Sequence, residues 1–145
     1  MSQSDSDTAE NSELRGKNHV EVSAALIFRN GQLLVTQRLA GAHLGGLWEF
    51  PGGKREPDES FEHCLVREIH EELDVDVSVG ELFAEIIHDY PEKSVRLKFF
   101  ICRLIRGEPK PVDCAAVKWI NKTDLAAHEF PAADAQLLEK LKSNW

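Results

Sequence analysis

The strongest constraint in the chain is the stretch from Gly53 to Val75, GKREPDESFEHCLVREIHEELDV. It carries acids at Glu56, Asp58, Glu59, Glu62, Glu68, Glu71, Glu72 and Asp74. Phe61, Leu65, Ile69 and Leu73 recur every four residues, which predicts an amphipathic helix with Ser60 as its N-cap and an end near Leu73. At about 100° per residue, Glu68, Glu71 and Glu72 fall within one arc bordering that apolar stripe. A carboxylate at the stripe's edge is costly unless something neutralises it. Arg67 can pair with Glu71 at i+4, yet one cation does not balance three acids. A solvated acidic face is the ordinary reading of a charge run. Here the acids lie beside the core and follow a PGG turn, which favours a site for hard divalent cations, Mg²⁺ or Mn²⁺.

The rest of the chain supplies a scaffold. Residues 1–18 contain almost nothing that could be buried and are expected to form a disordered leader, leaving 19–145 as one domain. VEVSAALIF and QLLVTQRL read as strands joined by a hairpin turn at Arg29-Asn30-Gly31. The Gly-rich AGAHLGGLWEFPGGK reads as a loop in which LWEF is extended. ELFAEIIHDY and SVRLKFFICRLI read as two longer strands, AAVKWI as a short buried one, and residues 132–142 as a second helix with Leu137, Leu138 and Leu141 facing inward.

A net charge of −8 argues against an electrostatic grip on DNA or RNA. It leaves small phosphorylated ligands open, because bound cations invert the local field. No apolar run reaches membrane-spanning length. Cys64, Cys102 and Cys114 have no C-x-x-C spacing, which fits buried thiols in a reducing cytoplasm rather than a disulfide framework or a zinc site.

The spacing of the acidic segment resembles the Nudix box, G-x5-E-x7-R-E-U-x-E-E-x-G-U with U apolar. Gly53, Glu59, Arg67, Glu68, Glu71 and Glu72 occupy its fixed positions, and Ile69 and Val75 its apolar ones. Six such matches arise by chance in about one chain in 10⁵ of this length, so the signal is specific. One position departs: Asp74 stands where the family carries Gly. Asp tolerates the left-handed conformation better than most residues, so the departure bears on local stability and not on chemistry. The resemblance runs from about Val20 to the C-terminus. GLWEFPGGK, DYP and FPAAD are most similar to the MutT-like branch, whose members clear modified nucleoside triphosphates.

That resemblance implies an α/β fold, an α/β/α sandwich with a mixed sheet and the box as loop-helix-loop. It implies Mg²⁺-dependent (or Mn²⁺-dependent) attack of water on a phosphoanhydride, giving a nucleoside monophosphate and pyrophosphate. Glu68, Glu71, Glu72 and the Gly52 carbonyl are then the metal ligands, and one of these acids, with Glu68 the first choice, or a metal-bound hydroxide it helps form, activates the water. Arg67 orients the acids, and Glu59 is a more distant member bonded to Arg67. Arg38 and Lys54 face phosphate; Phe50, Tyr90 and Asp134 face the base. A further acid supplied by the family before the last strand has no clear counterpart. Lys118 aligns with it, and Asp113 lies nearby.

Asp134 bears on substrate. It stands where the 8-oxo-dGTP-hydrolysing members carry Asn, which donates and accepts, whereas an ionised Asp only accepts. The expected substrates are therefore oxidised or modified triphosphates such as 8-oxo-dGTP or, as the alternative, CTP and modified cytosine nucleotides. Hydrolysis of nucleotide sugars or dinucleoside polyphosphates and a non-catalytic nucleotide-sensing module are the weaker readings. The expected partner is a small-molecule nucleotide, with no nucleic-acid polymer and no membrane, acting on a monomer or homodimer.

Overall fold

Asn30 and Gly31 both take positive φ, 54° and 78°, and close the first hairpin between β1 (Asn18–Arg29) and β2 (Gln32–Gln37). A two-residue loop of this kind matches the twist of the paired strands, which is why Asn-Gly is found there. The computed structural model describes residues 18–145. The expected leader lies outside the described residues, except for Asn18, which opens β1.

The remaining elements are β3 (Trp48–Glu49), β4 (Gly52–Lys54), α1 (Phe61–Leu73), β5 (Asp76–Asp89), β6 (Lys93–Arg106) and β7 (Ala116–Ile120). Two 3₁₀ turns, Lys122–Ala127 and Ala132–Asp134, lead into α2 (Ala135–Asn144). The sheet is mixed: β1 runs parallel to β6 from Asn18 to Ile27, and every other pairing is antiparallel. The opposite edge of β1 is shared, first by β4 at Val22–Ala24 and then by β2 at Phe28–Arg29. The short chain from Glu49 to Gly52 crosses from the edge of β2 to the edge of β1, and that crossing brings the box beside the pre-box strand.

Alternation along the strands makes two cores. Ala24, Leu26, Leu33, Val35 and Phe99 face α2, meeting Leu137 and Leu141. Ala25, Ile27, Leu34 and Phe100 face α1, meeting Leu65, Ile69 and Leu73. Helices on both faces of a mixed sheet make an α/β/α sandwich. Ser60 caps α1 as expected, its side chain accepting from the His63 N–H at 2.9 Å. Asp74 ends the helix in the left-handed conformation, φ 58° and ψ 39°, its N–H donating to the His70 carbonyl.

Three expectations are corrected. GGK is a strand rather than loop, held by its pairing with β1. β5 begins at Asp76, well before ELF, because register shifts at Asp76/Val77 and between Val79 and Ala84 break the alternation that marks a strand. The last helix starts as a 3₁₀ turn at Ala132–Asp134 before becoming α-helical.

The hydroxyl of Thr36 is fully buried without a hydrogen-bond partner among the described residues. Burying an unpaired hydroxyl costs about 1–3 kcal/mol. Thr36→Val should therefore leave stability unchanged or raise it by about 1 kcal/mol. A loss of stability in a urea titration would show that the hydroxyl is bonded in solution.

Candidate active site

Gly53 sets the contact between strand and helix. A Cβ at this position would lie 2.3 Å from Oε1 of Glu68, so any larger residue would displace the Glu68 carboxylate. Cys64 and Ser23 tie the same corner, with Sγ donating to the Gly53 carbonyl at 3.5 Å and Oγ donating to the Phe61 carbonyl at 2.6 Å.

Arg67 gathers the box acids. Its Nε and Nη2 donate to the two oxygens of Glu59 at 3.1 and 2.6 Å, and Nη1 donates to Glu68 at 2.9 Å and Glu71 at 3.4 Å. Nη2 also reaches the Lys54 carbonyl at 3.3 Å. Bonding to Arg67, helped by the Glu56 N–H, holds the Glu59 carboxyl down at about 2. Burial moves Glu68 the other way, above the ordinary carboxylate range, with Arg67 partly offsetting it. Arg67 thus bonds Glu59, Glu68 and Glu71 at once.

Glu72 is the exception in the cluster. Its Oε1 is buried and has no hydrogen-bond partner among the described residues. Burial, then the nearby charges of Glu49 and Glu68, pushes its carboxyl up to about 8, against a hydrogen bond from the Gly52 backbone. Among the described residues no three His, Cys, Asp or Glu side chains converge as a ready-made metal cage. Glu68 and Glu71 are bonded to Arg67 instead. The donor set still fits a hard divalent cation: it consists of carboxylate oxygens, one of them buried and unsatisfied.

Glu72 opens into a cleft of about 280 Å³ that holds every residue expected to meet a nucleotide: Arg38, Phe50, Lys54, Tyr90 and Asp134, with Gly52 and Gly53 on its rim. Glu68, Glu71 and Arg67 do not line it and connect to it through Gly53 and Lys54. Phe50 is 5 % exposed, stacked on Phe130 at 5.1 Å and edge-on to Phe99 at 6.2 Å, so it forms the floor. Tyr90 packs against His88 at 4.5 Å, with Lys93 5.6 Å above its ring.

Asp134 caps no helical N–H despite its place at the start of α2, so its side chain is not held by a capping bond. It is 6 % exposed and lines the cleft; burial, with the charge of Glu49 adding to it, pushes its carboxyl up to about 7. A raised carboxyl contributes stability that is complete below the unfolded value, 3.8, and is lost as pH rises through about 7. Asp134→Asn should thus match wild type near pH 4 and exceed it at pH 8 by up to ~4 kcal/mol. A stability difference that does not vary with pH in urea titrations would contradict the burial of this charge.

Sequence reasoning missed Glu49, Lys93, His43 and Leu44, all of which line the cleft. Glu49 carried a signal, an acid between Trp48 and Phe50 in an otherwise apolar strand. Asp113, left open beside Lys118, lies near Glu72: its backbone N–H donates to the Glu72 carbonyl at 3.3 Å, and both residues line a second cavity of about 270 Å³. Lys118 is directed elsewhere, donating to Nε2 of His128 at 3.0 Å.

Residues 23–140 match the NUDIX domain family. The chain is 37% identical over 120 residues to the CTP pyrophosphohydrolase of Escherichia coli K12, covering 83% of this chain and 89% of that protein. It is 33% identical over 113 residues to the 8-oxo-dGTP diphosphatase of the same organism, covering 78% and 88%. Among solved structures, the solution structure of the E. coli ORF135 protein superposes with a TM-score of 0.77 at 34% identity, over 90% of this chain and 93% of that one.

Proposed function

This chain belongs to the NUDIX domain family and is a Nudix hydrolase, and from that premise we propose that it is a Mg²⁺-dependent (or Mn²⁺-dependent) nucleoside triphosphate pyrophosphohydrolase. It acts on oxidised or modified triphosphates such as 8-oxo-dGTP, releasing the monophosphate and pyrophosphate and so clearing the nucleotide pool. The observation that carries the reading is the unsatisfied buried oxygen of Glu72, a residue that lines the same cleft as Asp134.

Glu68, Glu71, Glu72 and the Gly52 carbonyl are the ligands for the cation, with Asp113 a candidate to join them. When bound, the cation neutralises phosphate charge and makes water acidic enough to attack at neutral pH. Oε1 of Glu68, the oxygen that Arg67 does not hold, accepts the proton of the attacking water. Arg67 keeps Glu68 in place, while Arg38 and Lys54 meet the phosphates. Phe50 floors the nucleoside site, Tyr90 offers a ring face and Asp134 reads the base edge.

A second reading, CTP and modified cytosine nucleotides, is favoured by the same Asp134. When ionised it accepts from the cytosine N4 amine; when protonated it donates to an oxidised purine. Turnover across unmodified and oxidised triphosphates, nucleotide sugars and dinucleoside polyphosphates tests the proposal. Triphosphates should lead by at least tenfold in kcat/KM, and a lead by either other class would refute it.

Three free, buried cysteines support a cytoplasmic site of action.

A further inference from the structure

Arg38, Glu49 and Glu72 are the residues shared by the cleft and the second cavity, so together they form the partition between them. Beyond it the second cavity is lined by Leu39, Ala42, Asp113 and Cys114. In the partition, Nη1 of Arg38 donates to Oε1 of Glu49 at 3.0 Å, and Nε donates to the His43 carbonyl at 2.6 Å. Its Nη2 makes no hydrogen bond to a described residue, so part of the guanidinium's donor fork stays available.

We propose that Glu49 is a positioning residue, whose carboxylate holds Arg38 in this partition so that its remaining N–H groups meet the phosphates of the nucleotide. The inference rests on the nucleotide reading of the cleft and adds to it a residue with no direct part in the chemistry.

Both partners are fixed from the backbone. Glu49 pairs with Thr36 and Trp48 with Gln37, while the Arg38 N–H donates to the Leu47 carbonyl at 2.9 Å and its carbonyl accepts from Gly46 at 3.2 Å. The strand ends that carry Arg38 and Glu49 are therefore bonded to each other, and the pair spans a closed loop. The side chains are about a third and a quarter exposed, so the bond persists only if its geometry is good. Charge-assisted bonds from a planar guanidinium are directional, and a second anchor on the His43 carbonyl removes most of its remaining freedom.

Glu49 also keeps Arg38 from a wrong partner. Glu72 and Asp113 line the same second cavity as Arg38. Without Glu49 the guanidinium has two acids within the cavity to fold onto. That movement would withdraw a cation from the phosphates and occupy Glu72, the oxygen donor left unsatisfied in the cluster.

The test is a double-mutant cycle on Glu49 and Arg38, read by equilibrium binding as well as turnover. Calorimetry with the α,β-methylene analogues of dCTP and 8-oxo-dGTP, in Mg²⁺ and again in EDTA, gives affinity without hydrolysis. Glu49→Ala should weaken binding and raise KM by roughly tenfold, the size of one lost charge-assisted bond, with a smaller change in kcat. Glu49→Gln keeps an acceptor for Nη1 and should recover affinity to within about threefold of wild type. Arg38→Ala should cost as much as Glu49→Ala, and the double variant no more than Arg38→Ala alone. Thermal melts verify that each variant is folded, and the near-isosteric Glu49→Gln keeps the test open if Glu49→Ala is not.

Losses that multiply in the double variant would overturn the proposal. So would a Glu49→Gln as damaged as Glu49→Ala with the loss in kcat, which would put the Glu49 charge at the reacting centre. Either result with active wild type removes only this inference. A wild type that turns over no nucleoside triphosphate removes the functional reading instead.

Discussion

Glu72→Gln should lower kcat by at least ~10²-fold, as expected when a ligand needed for metal-assisted activation of water is lost. The same substitution should stabilise the metal-free protein above pH 8. Wild type there must bury an ionised carboxylate with an unpartnered oxygen beside Glu49 and Glu68, and the amide carries no charge to bury. The two effects have opposite signs, and a residue serving stability alone would not produce both. Adding Mg²⁺ should raise the melting temperature of wild type and have much less effect on the variant, because ligand binding stabilises only where affinity exists. Glu68→Gln should show a similar loss of turnover. Near-wild-type turnover in both variants, or equal Mg²⁺ stabilisation of wild type and Glu72→Gln, would contradict the assignment of these acids.

Substrate preference should turn on Asp134. Its carboxyl titrates near 7, so both forms are present at neutral pH. Below that value the protonated acid donates to the O6 of 8-oxoguanine. Above it the carboxylate faces those lone pairs unfavourably and accepts from the cytosine amine instead. A mismatched polar group in a closed pocket is worth about ten- to a hundredfold in kcat/KM. The ratio of 8-oxo-dGTP to dCTP efficiency should therefore fall by that factor as pH is raised from 5.5 to 8.5. Asp134→Asn fixes a donor at every pH, so its ratio should favour the oxidised purine throughout and lose the pH dependence. Glu49 lies on the same cleft and raises the Asp134 pKa, so Glu49→Gln should move the transition to lower pH without abolishing it. If neither pH nor the substitution alters the ratio, Asp134 does not read the base.

The helix and its cap were legible because their signals are local. The four-residue recurrence from Phe61 to Leu73 fixes the buried stripe, and Ser60 sits one residue before it. The left-handed end at Asp74 was implied by the resemblance, whose motif carries Gly at that position.

Gly52–Lys54 gave no such signal. Two glycines have poor intrinsic strand preference, and only pairing with Val22, Ser23 and Ala24, some thirty residues earlier, makes them a strand. The early start of β5 was hidden by its bulges, which interrupt the alternation that a reader of strands depends on.

The site divides along the same line. Arg67, Glu68, Glu71 and Glu72 could be placed from spacing on one helix. Glu49 could not, because its meaning comes from Arg38 across a closed loop and from Glu72 on another element. Lys93 likewise reaches the cleft only because the β5–β6 hairpin carries it over Tyr90. Asp134 was found from its motif, but its burial and the absence of a capping bond exist only in the fold.

The most direct test of the account is the identity of the products formed from 8-oxo-dGTP and dCTP by the full chain in Mg²⁺, resolved by chromatography and phosphorus NMR. The account predicts nucleoside monophosphate and pyrophosphate in equal amounts from at least one of the two, with turnover lost in EDTA and in Glu72→Gln. Release of orthophosphate with a nucleoside diphosphate, or turnover that survives EDTA and Glu72→Gln, would contradict it.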